Sequence, residues 1–146
     1  MVKIDIFDLP EEFYYKQIDH VWVKILDPKK VVLGLDDFGQ QLTGRIQNID
    51  TYPAGMEIKK GKTFCTIESG KYVGPVKSPI SGRIVEINEE VMKKPRLINE
   101  SCYEHWILVV EPFNLEEDLA DLIKGEKAIR SWIQDEIQDY KDRGYL

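Results

Sequence analysis

The residues with the most chemical promise lie between positions 55 and 85. They are Gly55, Gly61, the tetrad Glu68-Ser69-Gly70-Lys71, then Ser78-Pro79 and Gly82-Arg83-Ile84-Val85. A segment carrying apolar Phe64 and Ile67 runs into the tetrad, and a second strand leaves it at Tyr72. This order predicts Lys71 at or beside the tip of a tight turn, with Gly70 supplying positive φ. A lysine so placed projects its amine into solvent from a rigid base. That suits covalent modification by another protein that must find it. An ordinary turn lysine that keeps a surface wet has the same local sequence, so the turn alone leaves both readings open. Gly82 is expected where positive φ or close backbone approach is needed.

The elements that must hold this turn are short. Strands are predicted at 20–25, 31–35, 45–49, 57–59, 63–67, 72–76, 82–87 and 106–110, with turns at Asp27-Pro28-Lys29-Lys30 and Tyr52-Pro53-Ala54-Gly55. Asp37 to Leu42 reads as one helical turn capped by Asp36 or Asp37. Closely spaced strands predict a sandwich or barrel, not a parallel sheet with crossover helices. The expected core comprises Trp22, Val23, Val32, Leu42, Ile46, Phe64, Ile67, Ile80, Ile84, Ile87, Trp106, Leu108 and Val110. Toward the C-terminus the apolar period changes. Leu115, Leu119, Leu122 and Ile123 predict one helix capped by Asn114, and Ile129, Trp132, Ile133 and Ile137 a second, with Gly125 between them. These stripes are read as packing on the β body, with docking of the second helix on another chain as the alternative. The expected organisation is an N-terminal arm over 1–15 with little structure of its own, a β domain over 16–112 and a helical segment over 113–146.

With 146 residues the chain is about one domain long. Twenty Lys and Arg against 26 Asp and Glu give a net charge of -6. That excludes the basic surface a nucleic-acid binder needs and a polybasic membrane surface. No apolar run approaches the ~20 residues of a membrane span, and the first residues lack a secretory pattern. Two cysteines, Cys65 and Cys102, make no disulfide framework and point to a reducing cytoplasm. Cys65 reads as a small buried hydrophobe. Cys102, in a loop, is the better candidate for thiol exchange. His20 and His105 have no zinc-ligand spacing, and GxSxG, P-loop and GxGxxG motifs are absent. His20, Trp22 and His105 are read as packing and hydrogen-bonding residues.

The stretch around Lys71 resembles the hairpin of lipoyl and biotinyl carriers, in which the modified lysine sits at a β-turn. From Lys16 to about Leu122 the chain resembles the H protein family of the glycine cleavage system. The residues that carry this are His20-x-Trp22-Val23, Gly34-Leu35-Asp36-Asp37-Phe38-Gly39-Gln40 and Ile67-Glu68-Ser69-Gly70-Lys71. They continue in Ser78-Pro79-Ile80-Ser81-Gly82-Arg83-Ile84-Val85-Glu86-Ile87-Asn88, Lys94-Pro95-x-Leu97-Ile98-Asn99-Glu100-Ser101 and Tyr103-x2-Trp106. The resemblance implies a mainly β fold, a flattened sandwich or barrel of the lipoyl/biotinyl-carrier (hybrid) type with C-terminal helices. It implies a non-catalytic carrier with lipoate joined by an amide to Lys71, and Glu68, Ser69 and Gly70 forming the attachment turn. The implied partners are a lipoate ligase or octanoyltransferase, and glycine decarboxylase, aminomethyltransferase and dihydrolipoyl dehydrogenase.

The departures from the family pattern concern charge. Val21 stands where the family has glutamate in His-Glu-Trp, and Val73-Gly74-Pro75 where an aspartate is common. Gly70 replaces the usual valine, and Cys102 the usual proline. An arm carrying an amine is cationic and needs acids near its resting place; Asp19 is the remaining candidate. H-like carriers of heterodisulfide-reductase-like sulfur-oxidation complexes carry neutral or anionic cargo, for which Lys77 or Arg96 would be suitable neighbours. Glycine cleavage and sulfur oxidation both stay open as the system served.

Overall fold

The computed structural model describes residues 1–146. Its body is an antiparallel sandwich whose sheets do not close into a barrel. The larger sheet has six strands in the order β3-β4-β5-β11-β10-β7: Tyr14–Lys16, Val21–Asp27, Lys30–Leu35, Leu108–Pro112, Gly82–Ile87 and Glu57–Ile58. The smaller has three, β6-β8-β9: Ile46–Thr51, Thr63–Ser69 and Val73–Lys77.

Alternation along the central strands explains why the large sheet is covered on both faces. Val21 and Val23 of β4, Val31, Leu33 and Leu35 of β5, and Leu108 and Val110 of β11 point one way. They pack against Phe64, Ile67 and Val76 of the small sheet. Trp22, Val32 and Val109, one residue out of phase, point the other way into a second core. That core is closed by the helix α5 (Glu126–Asp142), which contributes Ile129, Trp132, Ile133 and Ile137. These positions fall on one face of a 3.6-residue period. The second helix therefore packs on its own chain.

The second core also corrects the reading of the N-terminus. The first residues form a hairpin of β1 (Val2–Ile4) and β2 (Phe7–Leu9). Val2, Phe7 and Leu9 are buried, and the Phe7 and Phe38 rings are 4.6 Å apart. The hairpin is tied down where Asp8 N–H donates to Asp37 and the Tyr103 hydroxyl donates to the Asp8 carbonyl, at 2.8 and 2.7 Å. The acidic residues that suggested an arm lie on its outside, and its inward residues meet α5.

Two more expectations change. The predicted helix over 115–123 stops after Leu119 (α4, Leu115–Leu119), because Ile123 exchanges both backbone hydrogen bonds with Tyr15 and adds a bridge beside β3. Asn114 occupies its N-cap without a side-chain capping bond. Two short helices that the apolar pattern did not signal, α2 (Glu89–Lys93) and α3 (Leu97–Glu100), lie between β10 and β11. Of the expected core, Leu42, Ile87 and Trp106 are only partly buried and the remainder is buried. No helix is long and apolar enough to cross a membrane.

Candidate functional site

Strand β8 ends at Ser69 and β9 begins at Val73, so Gly70 and Lys71 form the tip of the hairpin between them. Ser69 N–H donates to the Tyr72 carbonyl at 2.7 Å, which closes the turn. The Ser69 hydroxyl does two further things. It donates to the Thr43 carbonyl at 2.6 Å, and it accepts the Lys71 N–H at 3.3 Å. Serine is suited to this because one oxygen serves as donor and acceptor. The hairpin tip is thereby fastened to the end of helix α1 (Asp37–Thr43). Glu68 points away from this junction and accepts from Asn48 Nδ2 on β6.

Gly70 does not have positive φ, contrary to expectation. A Cβ built there would meet nothing nearer than Gln47 Nε2 at 3.8 Å. The turn is set by the Ser69 bonds instead. The glycine that matters is Gly44, just after α1, with φ of +86°. The Lys71 stem lies against it: a Cβ at Gly44 would sit 2.8 Å from Lys71 Cε. Asn99 supports this floor, donating to the Gly44 carbonyl at 2.9 Å and accepting the Ile46 N–H at 2.8 Å. Gly82 likewise lacks positive φ, but its Cβ would meet the Glu111 carbonyl at 2.4 Å, so close strand approach explains it.

Lys71 is exposed and enters none of the ion pairs. Beside it opens a cleft of about 650 Å³. Its apolar walls come from Ile18, Leu35, Phe38, Leu42, Ile67 and Val76, and its rim includes Tyr72 and Pro75. Tyr140, Arg143 and Tyr145 from the end of the chain complete it. The only carboxylate lining the cleft is Asp19. It is already engaged, lying 3.6 Å from Lys16 Nζ and accepting the Lys77 N–H at 3.2 Å.

His20 lines the back of the cleft. It has positive φ and is stacked between Phe38 and Trp132, at 4.6 and 5.0 Å. Its Nδ1 faces Asp36 Oδ2 at 3.1 Å and its Nε2 faces Glu136 Oε1 at 2.9 Å. The other Asp36 oxygen caps α1 by accepting the Gly39 N–H at 2.8 Å. Burial alone would lower the imidazole pKa, but the Asp36 charge and the two carboxylate hydrogen bonds outweigh it and raise it to about 9. His20 is thus a charged clamp between α1 and α5.

Several readings are corrected by these positions. Val21 is fully buried between the two sheets and does not line the cleft, so its replacement of an acid is a core feature. Lys77 and Arg96 are not cleft residues; Arg96 lies with Arg45 in a separate polar groove. Cys102 is buried, and burial pushes its thiol well above the ordinary range, so it is no exchange partner. Cys65 is buried as well. The sequence reading missed Thr43, Gly44, Asn99 and Arg143. Asn99 stood in a recognised motif, but its contact with Gly44 spans 55 positions.

Comparison with known proteins gives a consistent result. The family model for glycine cleavage H-protein matches residues 13–136. Glycine cleavage system H protein 2 of Aquifex aeolicus is 42% identical over 136 residues, covering 92% of this chain and 81% of its own. A probable glycine cleavage system H protein of Thermococcus gammatolerans is 37% identical over 126 residues, covering 86% and 93%. The crystal structure of a glycine cleavage system H protein from Mycobacterium marinum superposes with a TM-score of 0.67 over 71% of this chain and 86% of its own, at 24% identity, and so supports the fold.

Proposed function

This chain belongs to the glycine cleavage H-protein family, and we propose that it carries lipoate on Lys71 as a non-catalytic shuttle between partner enzymes. The observation that carries this reading is the joint position of Lys71: a free amine on the tip of an anchored hairpin, its stem on Gly44, at the mouth of an apolar cleft. The cleft residues fit the group. Ile18, Leu42, Ile67 and Val76 match an acyl chain, which has no use for hydrogen bonds along its length. When attached, lipoate supplies a dithiol–disulfide pair that takes up and releases cargo.

The chain's own part is positional. Ser69 holds the turn so that a lipoate ligase or octanoyltransferase meets the amine at a fixed place. Acylation removes the lysine charge, which lowers the cost of laying the arm along Leu42 and Pro75. The clamp of His20 keeps α1 and α5 together as adjoining walls, where Phe38 meets Tyr140. Tethering keeps cargo at high effective concentration near each partner in turn. The family supports glycine decarboxylase, aminomethyltransferase and dihydrolipoyl dehydrogenase as those partners. A second reading, a sulfur-oxidation complex with neutral or anionic cargo, is favoured by one observation: the sole cleft carboxylate is committed to Lys16 and to the Lys77 backbone.

The test is glycine–bicarbonate exchange with purified glycine decarboxylase and lipoylated protein, followed by full turnover with aminomethyltransferase. A family reference protein sets the scale. Turnover equal to the reference, abolished in Lys71→Arg, establishes the glycine cleavage partners. Acylated protein that fails with these enzymes, but whose arm is reduced or loaded by sulfur-oxidation subunits, establishes the second reading. Activity that survives in Lys71→Arg overturns the carrier assignment.

A further inference from the structure

The end of α5 is built by a specific chain reversal. Gly144, with φ of +83°, follows the last helical residues and turns the backbone back. Tyr145 N–H donates to the Tyr140 carbonyl at 2.8 Å, and Gly144 N–H to the Lys141 carbonyl at 3.0 Å. These two bonds define a glycine-terminated helix stop, and left-handed backbone at Gly144 is what permits it. The reversal brings the Tyr145 ring to 5.9 Å from Tyr140. The Arg143 guanidinium carbon lies 4.5 Å from the Tyr140 ring centre and 5.4 Å from that of Tyr145. The two rings hold a flexible cation in one place on the wall of the cleft that Lys71 also lines. All three residues lie beyond the stretch 13–136 matched by the family model.

Arg143 has one ion-pair partner, Asp139, at 2.8 Å, and that carboxylate is not part of the cleft wall. A guanidinium has five N–H donors in a planar fork, so donors remain for a ligand. Once Lys71 is an amide, Arg143 is the one cation lining the cleft with donors left, because both nitrogens of His20 face Asp36 and Glu136, and Asp19 already has Lys16 and the Lys77 N–H. An ammonium at the end of the arm meets a single carboxylate, Asp19, which already has the Lys16 ammonium beside it. An anion meets a fork held for it.

We infer that Arg143 is a specificity-determining residue of this cleft and selects an arm whose end group is anionic, a carboxylate or an oxyanion of sulfur. The inference rests on acylation of Lys71 and on the second of the two partner readings, that of neutral or anionic cargo.

The test uses full-length protein lipoylated on Lys71, reduced, and alkylated at the arm sulfurs with iodoacetate to give an anionic end or with bromoethylamine to give a cationic one. Buried Cys65 and Cys102 are spared. Nitrogen-15 NMR follows the Arg143 side-chain Nε–H and the Tyr145 amide, together with hydrogen exchange over 137–146. The expected result is that the carboxymethyl arm shifts Arg143 Nε–H and slows exchange at Tyr145 by about tenfold, while the aminoethyl arm does neither. Read at the Tyr145 amide, Arg143→Gln should lose the effect and Arg143→Lys retain part of it, which separates charge recognition from mere support of the turn. An equal or larger response to the aminoethyl arm overturns the inference, as does no response to either arm. Mass spectrometry showing no acyl group on Lys71 is a separate failure, which overturns the carrier reading and this inference with it.

Discussion

His20 Nε2 and Glu136 Oε1 lie 2.9 Å apart although 116 positions separate them. With Asp36 on the other ring nitrogen, this pair fixes α5 against the β body and the start of α1. The imidazole is raised from 6.5 to about 9, so its contribution to stability is complete below the unfolded value and disappears as pH rises through about 9. Wild type should therefore exceed His20→Gln in stability by a margin that shrinks by about 3 kcal/mol between pH 6 and pH 10. Urea unfolding of both proteins across that range checks this. A margin independent of pH would show that His20 is neutral in the folded protein.

Ser69→Ala should unfasten the hairpin tip from Thr43 while leaving the strands paired. The expected cost is about 1 kcal/mol, since the hydroxyl's two hydrogen bonds are only partly buried and the turn is exposed. Acylation by a ligase should slow far more than stability falls, because the tip that presents Lys71 loses its anchor to Thr43 and the hydroxyl that accepts the Lys71 N–H. Gly70→Val, by contrast, meets no steric obstacle and should change stability by within about 0.5 kcal/mol. Paired unfolding curves and acylation rates separate the two variants.

Phe7→Ala should show that the N-terminal hairpin is structural. Phe7 is about 1% exposed and packs on Phe38. Its truncation should cost about 3 kcal/mol and perturb the Phe38 wall of the cleft. Unchanged thermal stability would mean that the hairpin lies on the surface without contributing to the second core.

The sequence carried the hairpin and the lysine at its tip because both depend on local rules: strand alternation, turn residues and a serine beside glycine. What it did not carry were contacts made across the fold. Acidic residues on the outside of the first hairpin hid its buried Val2, Phe7 and Leu9. Ile123 kept helical spacing with Leu119 yet bonds to Tyr15 as a strand. Gly70 looked like the residue demanding positive φ, whereas Gly44, 26 positions earlier, has it and touches the lysine. Arg143 sat in a charged helix end with nothing nearby to mark it as a cleft residue.

Native protein should also resist thiol reagents. Cys65 and Cys102 are buried and their thiols are pushed up by that burial. At pH 8, iodoacetamide should label neither until denaturant is added. Rapid labelling of Cys102 in folded protein would mean that the loop before Tyr103 opens, and would restore it as a thiol near the arm.

The most direct measurement is lysine-by-lysine mapping of acylation. Full-length protein is treated with lipoate ligase, ATP and lipoate, digested, and each lysine peptide is read by tandem mass spectrometry. The account predicts a lipoyl group on Lys71 alone and none on Lys71→Arg protein, with the fold unchanged. Modification of Lys59, Lys60 or Lys77 in place of Lys71, or no modification by a ligase that acylates a reference H protein, would contradict it.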